Sequence, residues 1–544
     1  MITALRERWV GADTSDGASS TRRRWWLDPG IVAPVAAAAL YLVAVGVRLP
    51  AVFSSYYWYS DFPEALRLGD AVFHGGWGQG LAVPSQSGLG PLWVVGLFQQ
   101  TTGSDVPGMA LGAVIVLVAA AFMVSTARRI LGTRGAIAVG ALCIAAPPVV
   151  GWELITPIAH ETTLLLTAAA AWQLVTLSRE DGLRRLAPAL GLGALAGVCI
   201  VSDPLAVATA AIPWGICAVL VARRRPHRRR ALLVSASCAL ASGMLLSLLA
   251  SVSGIVERSN TLLMPSMQGI TAGLRTTATT LGQMFTGAWY GYSFPDVIAV
   301  SALVLFLAVL YMATRTVTQR ARDVAPGRDV YVWFWVLSSG GLIAAFCVSG
   351  LGIQYDPVSY QGHYVDGLWF AIAALLPVAL VQARVVRAIA LACVTALVLS
   401  AAAGVMRAPA YPFQDPDYVD GPQLTATLQQ LGVTHGYGGY WESYAIGWHT
   451  DQHIQALPLQ RCTDASGVHG LCRYEFAASA WYRTQPGPVF VVALTVSCRR
   501  NDLCINVSDL DDLPKPIAVR TVGLLQVDVY SSDVLAGLPM ATSP

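Results

Sequence analysis

The sequence predicts a mainly α-helical, polytopic membrane protein of about eleven transmembrane helices, N-terminus in and C-terminus out, with a small exported α/β domain at the C-terminal end. Three observations predict it. Of 544 residues, 55% are hydrophobic and 12% charged, and the mean hydropathy is +0.55. A soluble chain of this length needs far more charge to cover its surface. The apolar residues also fall into runs of roughly 20, the length a membrane helix requires. Finally, the basic residues of the short loops all fall on one side, as the positive-inside rule demands.

The first 30 residues read as a cytoplasmic tail ending in Arg22-Arg23-Arg24-Trp25-Trp26. A cleavable signal carries its basic residues nearer the start and a small-residue cleavage site after the apolar run, so the first span is expected to stay as an anchor. The spans are expected at 31–48, 107–127, 134–151, 160–178, 186–202, 204–222, 231–254, 296–314, 330–350, 367–383 and 388–406. Arg128-Arg129 with Arg134, Arg179 with Arg184-Arg185, Arg223 to Arg230, Arg315 to Arg328, and Arg384 with Arg387 then join Arg22 to Arg24 on the inner side. That agreement requires the apolar piece 89–101 not to cross, which makes it a surface or re-entrant helix within an outer loop spanning 49–106. The outer side also receives the turn Trp152 to Glu161, the turn Ser202-Asp203-Pro204, the loops 255–295 and 354–366, and everything from about Arg407.

The net charge of +3 is too small to suggest a nucleic-acid partner. Lys515 is the only lysine, an Arg bias that fits a GC-rich genome such as an actinobacterium's. From 407 to 544 the apolar runs shorten. Leu424, Leu428 and Leu431 have helical spacing closed by Gly432, and Ile454–Leu459, Val489–Val496 and Ile517–Tyr530 read as strands. Cys462, Cys472, Cys498 and Cys504 all lie here, and an even number in an exported domain predicts two disulfides, 462–472 and 498–504 closing short loops. Zinc is the alternative, but structural zinc uses closer pairs than C-x9-C and C-x5-C. The other six cysteines lie in or at apolar runs and read as packing residues.

No Asp, Glu, Lys, Arg or His falls in the middle of an expected span. Ion-coupled transporters put such groups at the midplane; here they collect at the outer ends. An outer boundary site suits an enzyme with a lipid substrate. Sugar transfer from a lipid phosphate needs a carboxylate to take the acceptor's proton and donors or cations for the leaving phosphate. Asp61, after Tyr56-Tyr57-Trp58-Tyr59-Ser60, is the candidate base; it would equally cap a helix opening at Phe62-Pro63. Tyr59 and its aromatic neighbours serve either as an interfacial belt or as a sugar wall.

The early acid, Trp77 after Gly75-Gly76, and Gly90-Pro91-Leu92 opening a short apolar helix resemble the GT-C glycosyltransferase superfamily, which includes protein O-mannosyltransferases and aminoarabinose transferases. The resemblance covers the membrane part, 31–406, and implies an inverting transfer from a polyprenyl-phosphate-linked sugar, with Asp61 as base. Many relatives have Asp-Glu where this chain has Asp61-Phe62. His160-Glu161 stands where relatives place a second acid, and the resemblance implies that the pair helps hold a divalent cation (Mg, Mn or Ca) near the donor phosphate. Relatives have Arg-Tyr where this chain has His363-Tyr364, a pair implied to lie near the lipid phosphate; Arg258 or Arg275 would add a fixed charge, or contact anionic headgroups. The segment from His435 through Tyr440-Trp441-Glu442 to Tyr444 resembles a Tyr-rich strand-to-helix segment of exported domains in bacterial relatives, placing Tyr440, Trp441 and Glu442 either against a sugar or in the domain core. The expected partners are the lipid-linked sugar, a cell-envelope glycan, lipid or protein acceptor, and membrane lipids, at the plasma membrane. The alternatives are a lipid-linked sugar flippase, which needs a polar path through the spans, and a non-catalytic envelope-assembly protein.

Overall fold

A computed structural model describes residues 28–56, 82–84, 89–103, 106–153, 160–179, 186–252, 256–258, 266–288, 296–319, 327–349, 364–407, 421–450, 453–463, 469–474, 482, 484–496 and 504–539. The membrane part opens with α1 (Pro29–Tyr56), strand β1 (Ala82–Pro84), α2 (Leu89–Thr102), α3 (Val106–Ile144), the short α4 (Pro148–Glu153) and α5 (Glu161–Arg179). It continues with α6 (Leu186–Ser202), a π-helical turn (Val207–Ala211) leading into α7 (Ile212–Arg224), and α8 (Arg229–Val252). Strand β2 (Val256–Arg258), α9 (Met267–Thr286), α10 (Asp296–Gln319), α11 (Arg328–Ser349), α12 (Gly367–Leu375) and α13 (Arg384–Arg407) complete it.

Among the described residues, seven helices are long and apolar enough to cross a membrane, and Ala187–Ser202 and Gly367–Val381 are shorter apolar helices. The expected spans 107–127 and 134–151 run together as α3, whose 39 residues are broken at Gly132 (φ 74, ψ −170). The expected span 160–178 is α5, which the other helices surround: its Gln173 accepts from Trp214 Nε1 (2.9 Å) and donates to Ser235 (2.6 Å). A helix sheltered by protein on most sides carries polar groups that a lipid-facing one does not. The span expected at 367–383 is nine residues of α-helix followed by a 3-10 turn, Leu376–Val381. The piece expected at 89–101 is the 14-residue α2, too short to span.

One expectation about the membrane part is corrected. The outer stretch 255–295, read as loop, contains the 20-residue α9, capped by Ser266 (accepting from Gly269 N, 3.0 Å) and ended by Gly287 in the left-handed region (φ 65). Its Thr276, Thr277, Thr280 and Gln283 are buried against protein, and it packs on α10, α11 and α13. Burial by other helices, not by lipid, explains why its hydropathy did not mark it. Two stretches expected on the outer side are also joined: β1 pairs in parallel with β2, Ala82 opposite Val256.

The expected inner-side basic residues meet at one end of the bundle. Arg134 bonds Asp28 (2.8 Å), Arg129 bonds Thr176 near the end of α5 (2.7 Å), Arg328 bonds the Ile130 carbonyl (3.0 Å), and Arg224 pairs with Asp329. Helices α6 and α8 touch backbone to backbone. A Cβ on Gly197 would lie 2.3 Å from the Ala239 carbonyl and 2.6 Å from the Gly243 nitrogen, and one on Gly193 2.5 Å from the Ser235 carbonyl. Small residues four apart are the usual device for such contact between membrane helices. Gly197→Val is therefore expected to destabilise the protein by about 1–3 kcal/mol, read as a lower melting midpoint in detergent; an unchanged midpoint would show that the helices part without cost.

The C-terminal part holds α14 (Gly421–Gln430), β3 (His435–Gly438), α15 (Tyr440–His449), β4 (Gln455–Thr463), β5 (His469–Arg473), β6 (Val489–Leu494), β7 (Ala518–Val522) and β8 (Leu525–Tyr530). The six strands form one mixed sheet in the order β5-β4-β3-β6-β8-β7. The stretch read as one strand, Ile517–Tyr530, is a hairpin, because Gly523 (φ 59) turns the chain between β7 and β8. Cys462 and Cys472 are disulfide-bonded across the β4–β5 pair. Cys504 is disulfide-bonded as well, and Cys498 lies outside the described residues. The six membrane-part cysteines are free.

Asp528 on β8 is 4% exposed. Burial raises its pKa, and a bond from Gln526 (3.0 Å) offsets part of that. An acid whose folded pKa is raised opposes folding once ionised, so the fold gains as pH falls through that value and loses as pH rises through it. Asp528→Asn is expected to raise the melting midpoint at pH 7 and to leave it unchanged below about pH 3, where both states carry the proton; a lowered midpoint at pH 7 would contradict this.

Candidate functional site

The end of the bundle opposite the basic cluster carries the other polar residues. Helix α5 links the two, and its 19 residues span about 28 Å. At its start the His160 carbonyl takes the Leu164 amide (3.0 Å), so His160 caps the helix and Glu161 is its first residue. Glu161 is 1% exposed, a position at which the helix N-terminus favours negative charge. Thr163 and Thr167, four apart, project on the same face.

Three other elements close around this corner. The turn after α6 brings Asp203, which is 2% exposed. Its Oδ2 lies 2.7 Å from His160 Nδ1 and accepts from the Thr163 hydroxyl (2.5 Å), while Oδ1 accepts from the Leu205 amide (2.9 Å). Burial alone would raise the Asp203 pKa, but the charge of His160 and these hydrogen bonds outweigh it and hold the carboxyl below its ordinary value. From α11 comes a stripe of Trp335, Ser338, Ser339 and Leu342, one face of a helix by spacing. From the entry to α12 come Tyr364 and Asp366. The Tyr364 ring lies 5.3 Å from that of His160 and stacks on Phe346 at 6.1 Å. Asp366 is buried, and its carboxylate makes no capping bond to α12.

Together these residues enclose a cavity of about 50 Å³ lined by His160, Glu161, Thr163, Thr167, Thr209, Trp335, Ser338, Ser339, Tyr364 and Asp366 with a few apolar neighbours. That is room for a few waters or one small polar group, and far less than a sugar ring requires. Thr209 enters from the π-helical turn, an irregularity common at functional sites, and α11 rests on that turn so closely that a Cβ on Gly341 would lie 2.2 Å from the Ala208 carbonyl. Trp335 is 1% exposed, and its Nε1 has no hydrogen-bond partner among the described residues. A buried donor in that state favours an acceptor arriving in the cavity.

The structure thus brings together three of the residues selected from the sequence, His160, Glu161 and Tyr364. Asp203, Asp366, Trp335 and the two serines were not selected. Asp61, Tyr59, Trp77 and His363 lie outside the described residues. Arg258 is on β2, and its side chain is likewise not described. Arg275 is on the exposed face of α9. In the C-terminal part, Tyr440 is 4% exposed and packs in the core against Tyr444 and Tyr474 with ring centroids 5.3 and 5.2 Å away, and Glu442 is buried beside it. The Trp441 side chain is outside the description.

For the expected divalent cation, His160 engages Asp203 through Nδ1, and Glu161 and Asp366 are the carboxylates that line the cavity. Among the described residues no group of three or more His, Cys, Asp or Glu is arranged to hold a metal ion. The described residues do not make a cation site by themselves.

No family model matches the chain, and no curated protein matches it in sequence. Solved structures do. ArnT from Cupriavidus metallidurans bound to undecaprenyl phosphate shares the fold with a TM-score of 0.50 at 14% identity, over 92% of this chain and 99% of that one. The same protein in the apo state gives a TM-score of 0.50 at 12% identity, over 93% and 100%. At such identities the likeness is one of fold: this chain is a multi-pass membrane protein with a small C-terminal sheet domain, built as those structures are.

Proposed function

We propose that this chain is a GT-C membrane glycosyltransferase that takes a sugar from a polyprenyl-phosphate carrier and delivers it to a hydroxyl of a cell-envelope acceptor at the outer face of the plasma membrane. One observation carries the reading: His160, Glu161, Tyr364 and Asp366, from distant parts of the chain, converge on one buried cavity at one end of the bundle. Residues so far apart have little reason to meet unless a site requires it. The fold supports the choice of lipid, because the similar ArnT structure holds undecaprenyl phosphate.

In this reading Asp61 takes the proton of the acceptor hydroxyl. The oxygen attacks the anomeric carbon from the side opposite the phosphate, and the bond from that carbon to the phosphate oxygen breaks with its electron pair going to the phosphate. Configuration inverts, and the carrier leaves as polyprenyl phosphate. The developing phosphate charge is met by fixed donors, the Tyr364 hydroxyl and the His160 ring, whose worth rises in a site shielded from water. The 50 Å³ recess is a polar pocket beside the sugar, not its seat. The C-terminal domain presents the acceptor.

The test is to supply proteoliposomes with polyprenyl-phospho-sugars labelled in the sugar, together with a cell-envelope extract as acceptor. Appearance of labelled product with release of polyprenyl phosphate supports transfer. Movement of intact labelled lipid across the bilayer without cleavage would replace this reading with a flippase.

A further inference from the structure

We propose that Asp203 is a positioning residue of this site, acting only through His160: it fixes the imidazole with its proton on Nδ1 and so presents Nε2 to the cavity. The proposal rests on the transferase reading for its consequence and on geometry for its substance.

Asp203 does not line the cavity, whereas His160 does. Its carboxylate is 2% exposed and is met at Oδ1 by the Leu205 amide (2.9 Å) and at Oδ2 by the Thr163 hydroxyl (2.5 Å). An amide has only a proton to offer, and the hydroxyl sits at donor distance, so the carboxylate acts as an acceptor. The ring nitrogen 2.7 Å from Oδ2 must then carry a hydrogen. That assigns the proton to Nδ1 by the chemistry of its partner. Thr163 and Leu205 hold the carboxylate from either side, so it cannot swing to follow the ring. The Tyr364 ring, at 5.3 Å and tilted by 50°, limits the imidazole on another face. A ring pinned at Nδ1 and bounded by Tyr364 has its orientation set, with Nε2 on the side away from Asp203. With Nδ1 engaged by Asp203, a ring that carries a second proton donates it from Nε2 to a phosphate oxygen. Carboxylates behind a working histidine fix tautomer and direction in this way.

The experiment is a double-mutant cycle on the full-length protein in proteoliposomes. Asp203→Asn and His160→Gln are each expected to lower kcat by about 10²-fold with a smaller change in KM, the pattern of a contact made in the transition state. The double variant is expected to be no slower than His160→Gln alone, because Asp203 has nothing left to position. Multiplying effects would overturn the proposal, as would an Asp203→Asn protein as fast as the wild type. If Asp203→Asn does not fold, Asp203→Glu, which moves the carboxylate, replaces it: its loss must likewise vanish in the His160→Gln background, and persistence there would overturn the proposal. A second readout needs no transfer at all. With eight histidines in the chain, nitrogen-15 histidine NMR should show one strongly downfield Nδ1 proton that disappears in both Asp203→Asn and His160→Gln. Its absence from the wild type would overturn the dyad. Its presence in a protein that transfers no sugar would leave the dyad standing and sink only the transferase reading.

Discussion

Asp61→Asn is expected to lower the rate of sugar transfer by about 10²–10⁴-fold, the usual worth of a positioned general base. Asparagine keeps the size and the hydrogen-bonding oxygen of the side chain but cannot take the acceptor's proton. The loss should therefore fall on kcat, with the KM for the polyprenyl-phospho-sugar nearly unchanged, because the carboxylate addresses the acceptor and not the carrier. The substitution also separates catalysis from helix capping. Ser60-Asp61 precedes Phe62-Pro63, where an acid would cap a helix, and asparagine caps about as well as aspartate. A capping role predicts unaltered transfer and an unaltered melting midpoint for Asp61→Asn. A catalytic role predicts an unaltered midpoint and almost no transfer. Measuring both on one preparation decides between them, and full activity in Asp61→Asn would remove the assigned base.

What could be read ahead of the structure follows from the range of the forces involved. A span needs a long apolar run and a loop shows its side by its arginines, so α1, α8, α10 and α13 were legible from local composition. His160, Glu161 and Tyr364 stood out for a related reason: polar residues at the ends of spans are conspicuous where everything around them is apolar. Asp203 was not. In Ser202-Asp203-Pro204 it reads as a turn residue, and its role exists only because the end of α6 lands against the start of α5. Trp335, Ser338 and Ser339 were hidden for the opposite reason, since two serines and a tryptophan in a long apolar run look like ordinary helix packing. The cavity side of α11 becomes visible only when α5, α12 and the π-helical turn are placed beside it. Helix α9 escaped because hydropathy measures affinity for lipid, and its threonine-rich face is buried by protein. Gly523 went unread as a turn because apolar residues run on both sides of it; its left-handed backbone (φ 59) divides the stretch into two strands.

Glu161→Gln carries the second large expectation, a loss of about 10²–10³-fold in transfer with a melting midpoint close to that of the wild type. The side chain is 1% exposed at the first position of α5 and lines the cavity. Removing its charge has two separable consequences. The interaction with the helix N-terminus is worth about 0.3–1 kcal/mol, which moves the midpoint by a few degrees at most. A fixed carboxylate in a water-poor site is worth far more to the positive charge that builds on the anomeric carbon as the phosphate leaves, because it is already oriented when that charge develops; one such group commonly contributes about 10²–10³ in rate. Glutamine keeps the volume and can still accept a hydrogen bond, so it isolates the charge. Glu161→Ala removes volume and polar partner together and should additionally lower stability by about 1–3 kcal/mol, the cost of leaving buried groups unsatisfied. The two variants should therefore agree in activity and differ in stability. If Glu161→Gln instead transfers sugar at the wild-type rate while both variants melt early, the residue is a structural anchor of α5, and the charge in this corner of the bundle takes no part in the chemistry.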